Sequence, residues 1–261
     1  MIGLFLGDTQ FSDIVLNRLI KLKKNYFIID FSKNNKFKKK KNCHRISIGK
    51  FGAIIKLIKN YKSNKVLFAG KINKPNFSSL RLDIKGIYYM PSIIKAAKCG
   101  DAAIIKEIIK ILKKEKINVI RSTFFNSELS LNKGVYTKIR PSRKEKNSIK
   151  YGINFINKLN NLDHVQAIIV KNLSIIAIEK KGGTSEMLSS LKKNSKAILI
   201  KYPKKKQDLR VDLPTVGIQT LKDCKKYNLK GVVLKSKKHI FLNKDQSIKF
   251  ANKNNIFISV I

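Results

Sequence analysis

Residues 2–30 read IGLFLGDTQFSDIVLNRLIKLKKNYFIID, and this stretch indicates the fold of the amino-terminal half. An apolar run at residues 2–6 predicts a buried strand, and Gly7-Asp8-Thr9 predicts the turn that follows it. Residues 12–24 carry apolar side chains at helical spacing, and residues 26–30 form a second apolar run. This order of strand, turn, helix and strand is typical of one half of a Rossmann-like fold. The full GxGxxG signature is absent, so the stretch does not by itself predict a dinucleotide site.

The alternation of strands and helices continues to residue 122. The predicted strands lie at residues 45–48, 65–68 and 118–122, and the predicted helices at residues 51–60 and 102–116. Met90-Pro91-Ser92 is predicted to open a further helix, because proline suits the first helical turn. The amino-terminal half therefore reads as an α/β domain with a Rossmann-like order of elements.

Short polar segments at the ends of these elements are candidate ligand contacts. Gly7 follows the first predicted strand, and Gly70 with Lys71 follows the fourth. In open α/β sheets ligands gather at the carboxyl ends of strands, so these residues are predicted to face a ligand. The alternative of turns without a ligand stays open. Asp101 precedes a long helix and is either its cap or a ligand or metal contact.

A polar, charged segment at residues 126–148 is predicted to connect two domains, with the boundary near residues 131–138. The predicted domains are 1–133 and 138–261. The second also mixes α and β, because a helix at residues 149–160 precedes a hairpin at residues 166–179. We therefore expect a two-domain α/β protein, with a Rossmann-like amino-terminal domain, a mixed α/β carboxyl-terminal domain and a cleft between them.

The composition is strongly basic, with 57 Lys plus Arg against 16 Asp plus Glu and a formal charge of +41. Such a balance fits nucleic acid, an anionic membrane or anionic ligands, and it also fits lysines spread over solvated helix faces. The cysteines Cys43, Cys99 and Cys224 form no pair motif, which suits a reducing cytoplasm. No spacing typical of a zinc or calcium site is present, and no apolar run approaches the roughly 20 residues of a membrane span.

The loop at residues 201–217, KYPKKKQDLRVDLPTVG, follows an apolar strand and carries two of the scarce carboxylates. Its lysines and Arg210 can hold phosphate oxygens. A carboxylate such as Asp212 can hold a divalent metal or orient water. Catalytic residues concentrate in loops that a rigid strand holds in place. The alternative is a solvated turn with an incidental ion pair.

The pattern KxPKxxQDxRxDLPTxG in this loop resembles the signature of the LpxI family, the UDP-2,3-diacylglucosamine pyrophosphatases of lipid A synthesis. Further segments agree in order and spacing, so the resemblance covers essentially the whole chain. These segments are Phe68-Ala69-Gly70-Lys71 with Pro75 and Phe77, Met90-Pro91-Ser92, Gly100-Asp101-Ala102, Leu162-Asp163-His164-Val165-Gln166, and Ile178-Glu179 with Gly183-Thr184-Ser185.

The resemblance implies hydrolysis of UDP-2,3-diacylglucosamine to UMP and 2,3-diacylglucosamine 1-phosphate (lipid X), with Mg²⁺ as cofactor and the site in the interdomain cleft. It implies that Asp212 is the catalytic residue and metal ligand, and that Lys204 and Arg210 neutralise the diphosphate. Gln207 and Thr215 would bond the diphosphate or orient the water. The remaining residues implied to bind substrate are Gly183, Thr184, Gln166, Gly70, Lys71, Gly7 and Asp101. Gly183-Thr184-Ser185 is predicted to open a helix, and this helix start either binds phosphate or has Thr184 or Ser185 as an ordinary cap.

The chain also departs from the family pattern. Gly7-Asp8-Thr9 stands where the family has a glycine-rich turn, and Val165 stands where the family has glycine. The run at residues 182–185 replaces Glu-Gly-Thr-Asp, so two expected carboxylates are missing. A metal or base role for that loop is therefore weakened, which leaves Asp212 as the better candidate.

Two other function classes stay open at this point. One is a basic nucleic-acid-binding module, although no recognition-helix, RNP or KH signature is present and no specific nucleic acid is predicted. The other is a hydrolase of a different UDP-sugar, with the missing carboxylates reflecting a changed substrate. For the leading function we expect a lipid-linked UDP-sugar as substrate, a cytoplasmic location and peripheral contact with the anionic inner membrane. The sequence predicts no oligomeric state.

Overall fold

The chain is described by a computed structural model at residues 1–159, 165–180, 182–192, 195–203 and 208–261. It divides into two compact units, Met1–Ser127 and Glu128–Ile261. The strands of unit 1 are β1 Ile2–Leu6, β2 Tyr26–Asp30, β3 Cys43–His44, β4 Lys65–Ala69 and β5 Asn118–Val119. Its helices are α1 Gln10–Lys21, α2 Phe51–Asn60, α3 Ile84–Lys98 and α4 Asp101–Lys114.

Unit 1 is built on a parallel sheet with the strand order β3-β2-β1-β4-β5. The chain runs outward from β1 in one direction to β3 and then returns to place β4 on the other side of β1. This order is that of a Rossmann-like half, and it confirms the predicted α/β class. The strand order reverses between β1 and β4, so their carboxyl ends form the crevice in which such sheets bind ligands.

The core of unit 1 follows from near-continuous apolar strands. Leu4, Leu6, Ile28 and Leu67 are fully buried, as expected for parallel strands that are covered on both faces. Helix α1 contributes a buried stripe at Val15, Leu16 and Leu19, which recurs at helical spacing. The periodic helix predicted at residues 51–60 is confirmed as α2.

Helix α3 differs from its prediction. It begins at Ile84, and Pro91 lies inside it, so the helix start predicted at Met90-Pro91-Ser92 is wrong. The true start is set by Asp83, whose Oδ1 accepts a hydrogen bond from the backbone N–H of Gly86 at 2.8 Å. A capping carboxylate outweighs the preference of proline for a first turn, because proline can also lie on an exposed helix face at the loss of one backbone bond.

Asp83 also holds the start of α2, since the backbone N–H groups of Gly52 and Ala53 donate to its carboxylate at 3.0 and 2.9 Å. Burial raises the pKa of Asp83, but these three N–H donors and the nearby Lys50 charge outweigh it and hold the pKa below its ordinary value. One carboxylate therefore fixes the amino-terminal ends of two helices relative to each other.

Unit 2 holds a mixed sheet and helices on both of its faces. Its described strands are β6 Gly134–Val135, β7 Ala167–Lys171, β8 Ser174–Ile178, β9 Ile198–Lys201, β10 Thr215–Val216, β11 Gly231–Leu234, β12 Ile240–Phe241 and β13 Phe257–Val260. Its described helices are α5 Arg143–Lys158, α6 Gly183–Ser189, α7 Ile218–Lys226 and α8 Lys244–Lys253. Among the described residues the larger sheet has the order β6-β13-β11-β9-β7-β8, and β10 pairs with β12 in parallel.

Successive side chains along the strands of this sheet belong alternately to two apolar clusters, one on each face. Ile168 and Ile200 join Ile149 of α5 on one face. Ala167 and Leu199 belong to the other cluster, which the residues of α6, α7 and α8 complete. The predicted hairpin is present, because β7 and β8 pair in an antiparallel ladder. No helix of the described chain is long and apolar enough to span a bilayer.

We predict that Asp83→Ala lowers the stability of the protein by about 1–3 kcal/mol, because it removes the cap of α3 and leaves two N–H groups of α2 without their acceptor. Thermal unfolding followed by circular dichroism measures the change. Asp245→Ala is the matched control, since Asp245 is an exposed carboxylate in the first turn of α8. Equal melting temperatures for the two variants would contradict the double-cap role.

Candidate active site

The carboxyl ends of β1 and β4 bring Gly7, Gly70 and Lys71 together in unit 1. The Gly7 N–H donates to the Ala69 carbonyl at 2.9 Å, and the Asp8 N–H donates to the Lys71 carbonyl at 3.0 Å. These bonds join the two turns that follow the central strands. Because the strand order reverses here, the turns lie at the end of the sheet where open α/β folds generally bind ligands.

Glycine is required at both turns. A Cβ on Gly7 would lie 2.2 Å from the Lys71 carbonyl oxygen, and a Cβ on Gly70 would lie 2.1 Å from Ser12 Oγ. Gly70 also has φ +86°, a left-handed conformation that favours glycine. The Ser12 hydroxyl oxygen lies 2.8 Å from the carbonyl oxygens of both Gly7 and Ala69, and these hydrogen bonds hold the two turns side by side. The close approach of the two turns therefore accounts for both glycines, and ligand binding by them stays a prediction.

Asp101 is the first residue of α4, and Gly100 holds the cap position with no side-chain cap bond. The interpretation of Asp101 as the helix cap is therefore wrong. Gly100 has φ +106°, a conformation that suits glycine and not aspartate, which moves Asp101 into the first turn. Its exposed carboxylate lies where the helix dipole favours negative charge, and a role in binding substrate stays a prediction.

In unit 2 the central strand β9 ends at Lys201, and antiparallel pairing sets this end beside the start of β7. The Tyr202 N–H donates to the Gln166 carbonyl at 2.8 Å, and the Glu179 N–H donates to the Ala167 carbonyl at 2.9 Å. The predicted site residue Gln166 thus lies at the same sheet edge as the loop that follows Lys201.

Glu179 organises this edge. Its side chain is only 6% exposed. The Gln166 N–H donates to Glu179 Oε2 at 2.8 Å, and the Thr184 hydroxyl donates to Oε1 at 2.6 Å. Two of the predicted site residues are therefore joined through a carboxylate that the sequence analysis did not assign to the site. The Ile178-Glu179 segment that carries part of the family resemblance was the available signal.

Lys201 is the second residue that the sequence analysis missed. Although it is a lysine, it is only 9% exposed, and its Nζ donates to the Thr215 carbonyl at 3.0 Å. Burial lowers the pKa of Lys201, and the Glu179 carboxylate acts in the opposite direction. In the sequence, Lys201 could have been identified as a candidate because it is the first residue of the KxP pattern. The bond ties the predicted site residue Thr215 to the end of β9.

The segment from Asp208 to Thr215 is held by its own side chains. Arg210 donates Nε and Nη2 to the two oxygens of Asp208 at 3.0 and 2.7 Å. This hydrogen-bonded ion pair raises the pKa of Arg210. The Asp212 N–H donates to the Asp208 carbonyl at 3.0 Å, and Asp212 is half-buried. The predicted substrate contacts Lys204 and Gln207 lie outside the described residues.

The helix start predicted to bind phosphate is α6, which begins at Gly183. Gly182 holds the cap position without a side-chain cap bond, so the alternative of an ordinary cap by Thr184 or Ser185 is wrong. Thr184 instead donates to Glu179, and Ser185 donates to Asp223 at 3.3 Å. Phosphate binding by Gly183 and Thr184 stays a prediction.

The departure at Val165 has a packing explanation. Val165 is 4% exposed and belongs to the apolar cluster on the α5 face of the sheet. Its side chain fills space that a glycine would leave empty, and burial of this kind stabilises the fold. The next residue, Gln166, keeps its main-chain bonds to Tyr202 and Glu179.

No group of three His, Cys, Asp or Glu side chains that could hold a metal occurs within the described parts of the chain. Mg²⁺ does not require such a group, since it keeps several waters and takes one or two carboxylates with substrate phosphates. Of the two carboxylates in the loop, Asp208 is bound to Arg210 on both oxygens. Mg²⁺ binding by Asp212 stays a prediction.

A cavity of about 490 Å³ lies elsewhere in unit 2, between α5 and the β6–β13 edge of the sheet. Its walls are mainly apolar, with Ile149 and Val260 among them, and Lys133, Lys146 and Lys150 also line it. None of the predicted site residues that the structure describes lines this cavity.

Comparison with known proteins covers both units. Residues 1–129 match the family model described as the LpxI N-terminal domain, and residues 132–259 match that of the LpxI C-terminal domain. The UDP-2,3-diacylglucosamine pyrophosphatase LpxI of Caulobacter vibrioides is 28% identical to this chain over 223 residues. That similarity spans 82% of this chain and 80% of the relative.

We predict that Glu179→Ala destabilises the protein by about 2–4 kcal/mol, because it leaves the Gln166 N–H and the Thr184 hydroxyl without their acceptor. Chemical denaturation measures the loss. Glu186→Ala is the control, since Glu186 is an exposed carboxylate on the neighbouring helix α6. A loss for Glu179→Ala no larger than that of the control would contradict the organising role of Glu179.

Proposed function

The chain belongs to the LpxI family, and from this premise we propose that it hydrolyses the diphosphate of UDP-2,3-diacylglucosamine to UMP and 2,3-diacylglucosamine 1-phosphate. The observation that carries the proposal is the match of both family domains, which together span nearly the whole chain. The Caulobacter relative is named for this pyrophosphatase activity. The proposed reaction takes place in the cytoplasm, with the enzyme in peripheral contact with the anionic inner membrane.

Hydrolysis of a diphosphate depends mainly on positioning the reactants and on stabilising negative charge, because little covalent chemistry falls to the protein. In this proposal Asp212 either positions the attacking water or holds the metal. Arg210 contributes positive charge near the diphosphate while Asp208 keeps its guanidinium oriented. Lys201 acts as a positioning residue, since its ammonium group bonds the main chain of Thr215.

We also propose Mg²⁺ as the cofactor, held by Asp212 together with substrate oxygens and water. When bound, the ion would neutralise charge that develops on the diphosphate. The donor set supports this proposal, because a single carboxylate is sufficient when phosphate oxygens complete the coordination.

UMP release from purified protein tests the function. Release from UDP-2,3-diacylglucosamine and not from an unacylated UDP-sugar is the expected result. Preferential release from the unacylated compound would instead favour a different sugar nucleotide as substrate, in keeping with the changed run at residues 182–185. Salt-sensitive retention of DNA without hydrolysis of either compound would overturn the proposal in favour of a nucleic-acid-binding module.

We predict that Asp212→Ala lowers kcat by at least about 100-fold while substrate binding and melting temperature change little, because the residue acts on the transition state. Asp212→Asn separates charge from shape, and a metal ligand should lose most of its activity on this change. The measurements are UMP release with Mg²⁺ titrated and a melting curve for each variant. Near-normal turnover in Asp212→Ala would refute the assignment and make Asp101 the next residue to test.

We predict that Lys201→Met lowers kcat by at least about tenfold, because Thr215 loses the bond that fixes its main chain. Methionine keeps the apolar stem in the core, so the melting temperature should stay close to that of the original protein. Lys230→Met is a matched control, since Lys230 is exposed and pairs with Glu145 at 2.9 Å. A kcat unchanged from that of the control would contradict the positioning role.

A further inference from the structure

Helix α3 exposes an apolar stripe on its outer face. Ile84, Ile87 and Tyr88 are 86%, 63% and 73% exposed, and they lie at positions i, i+3 and i+4 of the helix. Pro91 and Ile94 continue the same face and are also exposed. Exposed single apolar residues are ordinary, but a contiguous row of large ones on one helix face marks an interaction surface.

The opposite face of α3 is already occupied, so the helix cannot rotate to hide the stripe. Tyr89, Met90 and Ile93 are buried on that face. The Tyr89 hydroxyl donates to Glu115 Oε1 at 2.8 Å, and Lys85 forms an ion pair with the same carboxylate. Burial and the bond to Glu115 raise the pKa of Tyr89 to about 12, so the hydroxyl remains a donor at neutral pH.

Exposed basic side chains lie at both ends of the stripe. Lys95 and Lys98 extend the exposed face at its carboxyl-terminal end, and Arg81 is exposed just before the Asp83 cap. Of the carboxylates nearest in sequence, Asp83 accepts three backbone N–H bonds and Glu115 forms an ion pair with Lys85, whereas Asp101 is exposed at the start of α4. A helix face that combines large apolar residues with lysine at its rim is typical of elements that lie in the surface of an anionic membrane.

We propose that the outer face of α3, formed by Ile84, Ile87, Tyr88, Pro91 and Ile94, is the surface by which this protein docks on an anionic phospholipid bilayer. The apolar side chains enter the headgroup boundary while Lys95 and Lys98 contact lipid phosphates. The inference rests on the proposed function only for the reason to approach a membrane, which is that the substrate carries acyl chains. The docking itself follows from the exposed apolar face and its charge.

The absence of tryptophan from the chain allows a direct test. Tyr88→Trp places a single tryptophan on the proposed surface, and Ile176→Trp places one at another exposed apolar position, on β8. With vesicles rich in phosphatidylglycerol, the emission of Tyr88→Trp should shift to the blue and be quenched by lipids brominated on their acyl chains. Ile176→Trp should show neither change, and vesicles of phosphatidylcholine alone should affect both proteins weakly.

Two pairs of variants separate the apolar and the charged contributions. Ile84→Asn with Ile87→Asn should lower partitioning onto anionic vesicles by at least about tenfold, whereas Leu173→Asn with Ile176→Asn on the β7–β8 hairpin should not. Lys95→Gln with Lys98→Gln should lower it more than the charge-matched Lys222→Gln with Lys225→Gln on α7. Melting curves confirm that each variant folds.

The proposal is overturned if Tyr88→Trp shows no lipid-dependent shift, or if both tryptophans respond equally. A blue shift that depends on protein concentration and not on lipid would assign the face to a second copy of the chain and would also overturn it. Hydrolysis is measured with detergent-dispersed substrate and requires no vesicle. Failure of the docking proposal would therefore leave the proposed function standing, and the converse also holds.

Discussion

Hydrogen bonds from backbone N–H groups to carboxylates hold the turns on which both units depend. Asp83 joins the starts of α2 and α3, and Glu179 joins the start of β7 to Thr184. Asp30, which is 1% exposed, accepts from the N–H groups of Ser32 and Phe37 after β2. Such charge-assisted bonds are stronger than neutral ones. In a chain with 16 acidic residues, this use of carboxylates in structure is prominent.

Several carboxylates of this chain have structural partners. Asp208 is bound to Arg210, Asp83 caps two helices, and Glu179 is buried and accepts two hydrogen bonds. The positive charge has a different distribution. Most lysines lie at the surface, where they favour anionic partners, whereas Lys201 lies buried at the end of β9 and bonds Thr215.

The sequence predicted the α/β class because long apolar runs and helical spacing determine it locally, as at β1, α2 and β4. It missed the strand β10, since two residues carry no periodicity and the pairing of β10 with β12 comes from the tertiary fold. Pro91 was misleading because the Asp83 cap lies upstream of the helix start that proline suggested. Lys201 and Glu179 were missed because their burial and their hydrogen-bond partners depend on antiparallel strand pairing. The spacing of residues in the sequence does not reveal that pairing.

We propose that the segment from Asp208 to Thr215, held by Lys201 and the Asp208–Arg210 pair, receives the diphosphate. A crystal structure with a substrate analogue whose bridging diphosphate oxygen is replaced by methylene tests it most directly. We expect phosphate oxygens within about 3 Å of donors in this segment. Phosphate oxygens held instead by Lys133, Lys146 and Lys150 at the cavity beside α5, with the segment uninvolved, would contradict it.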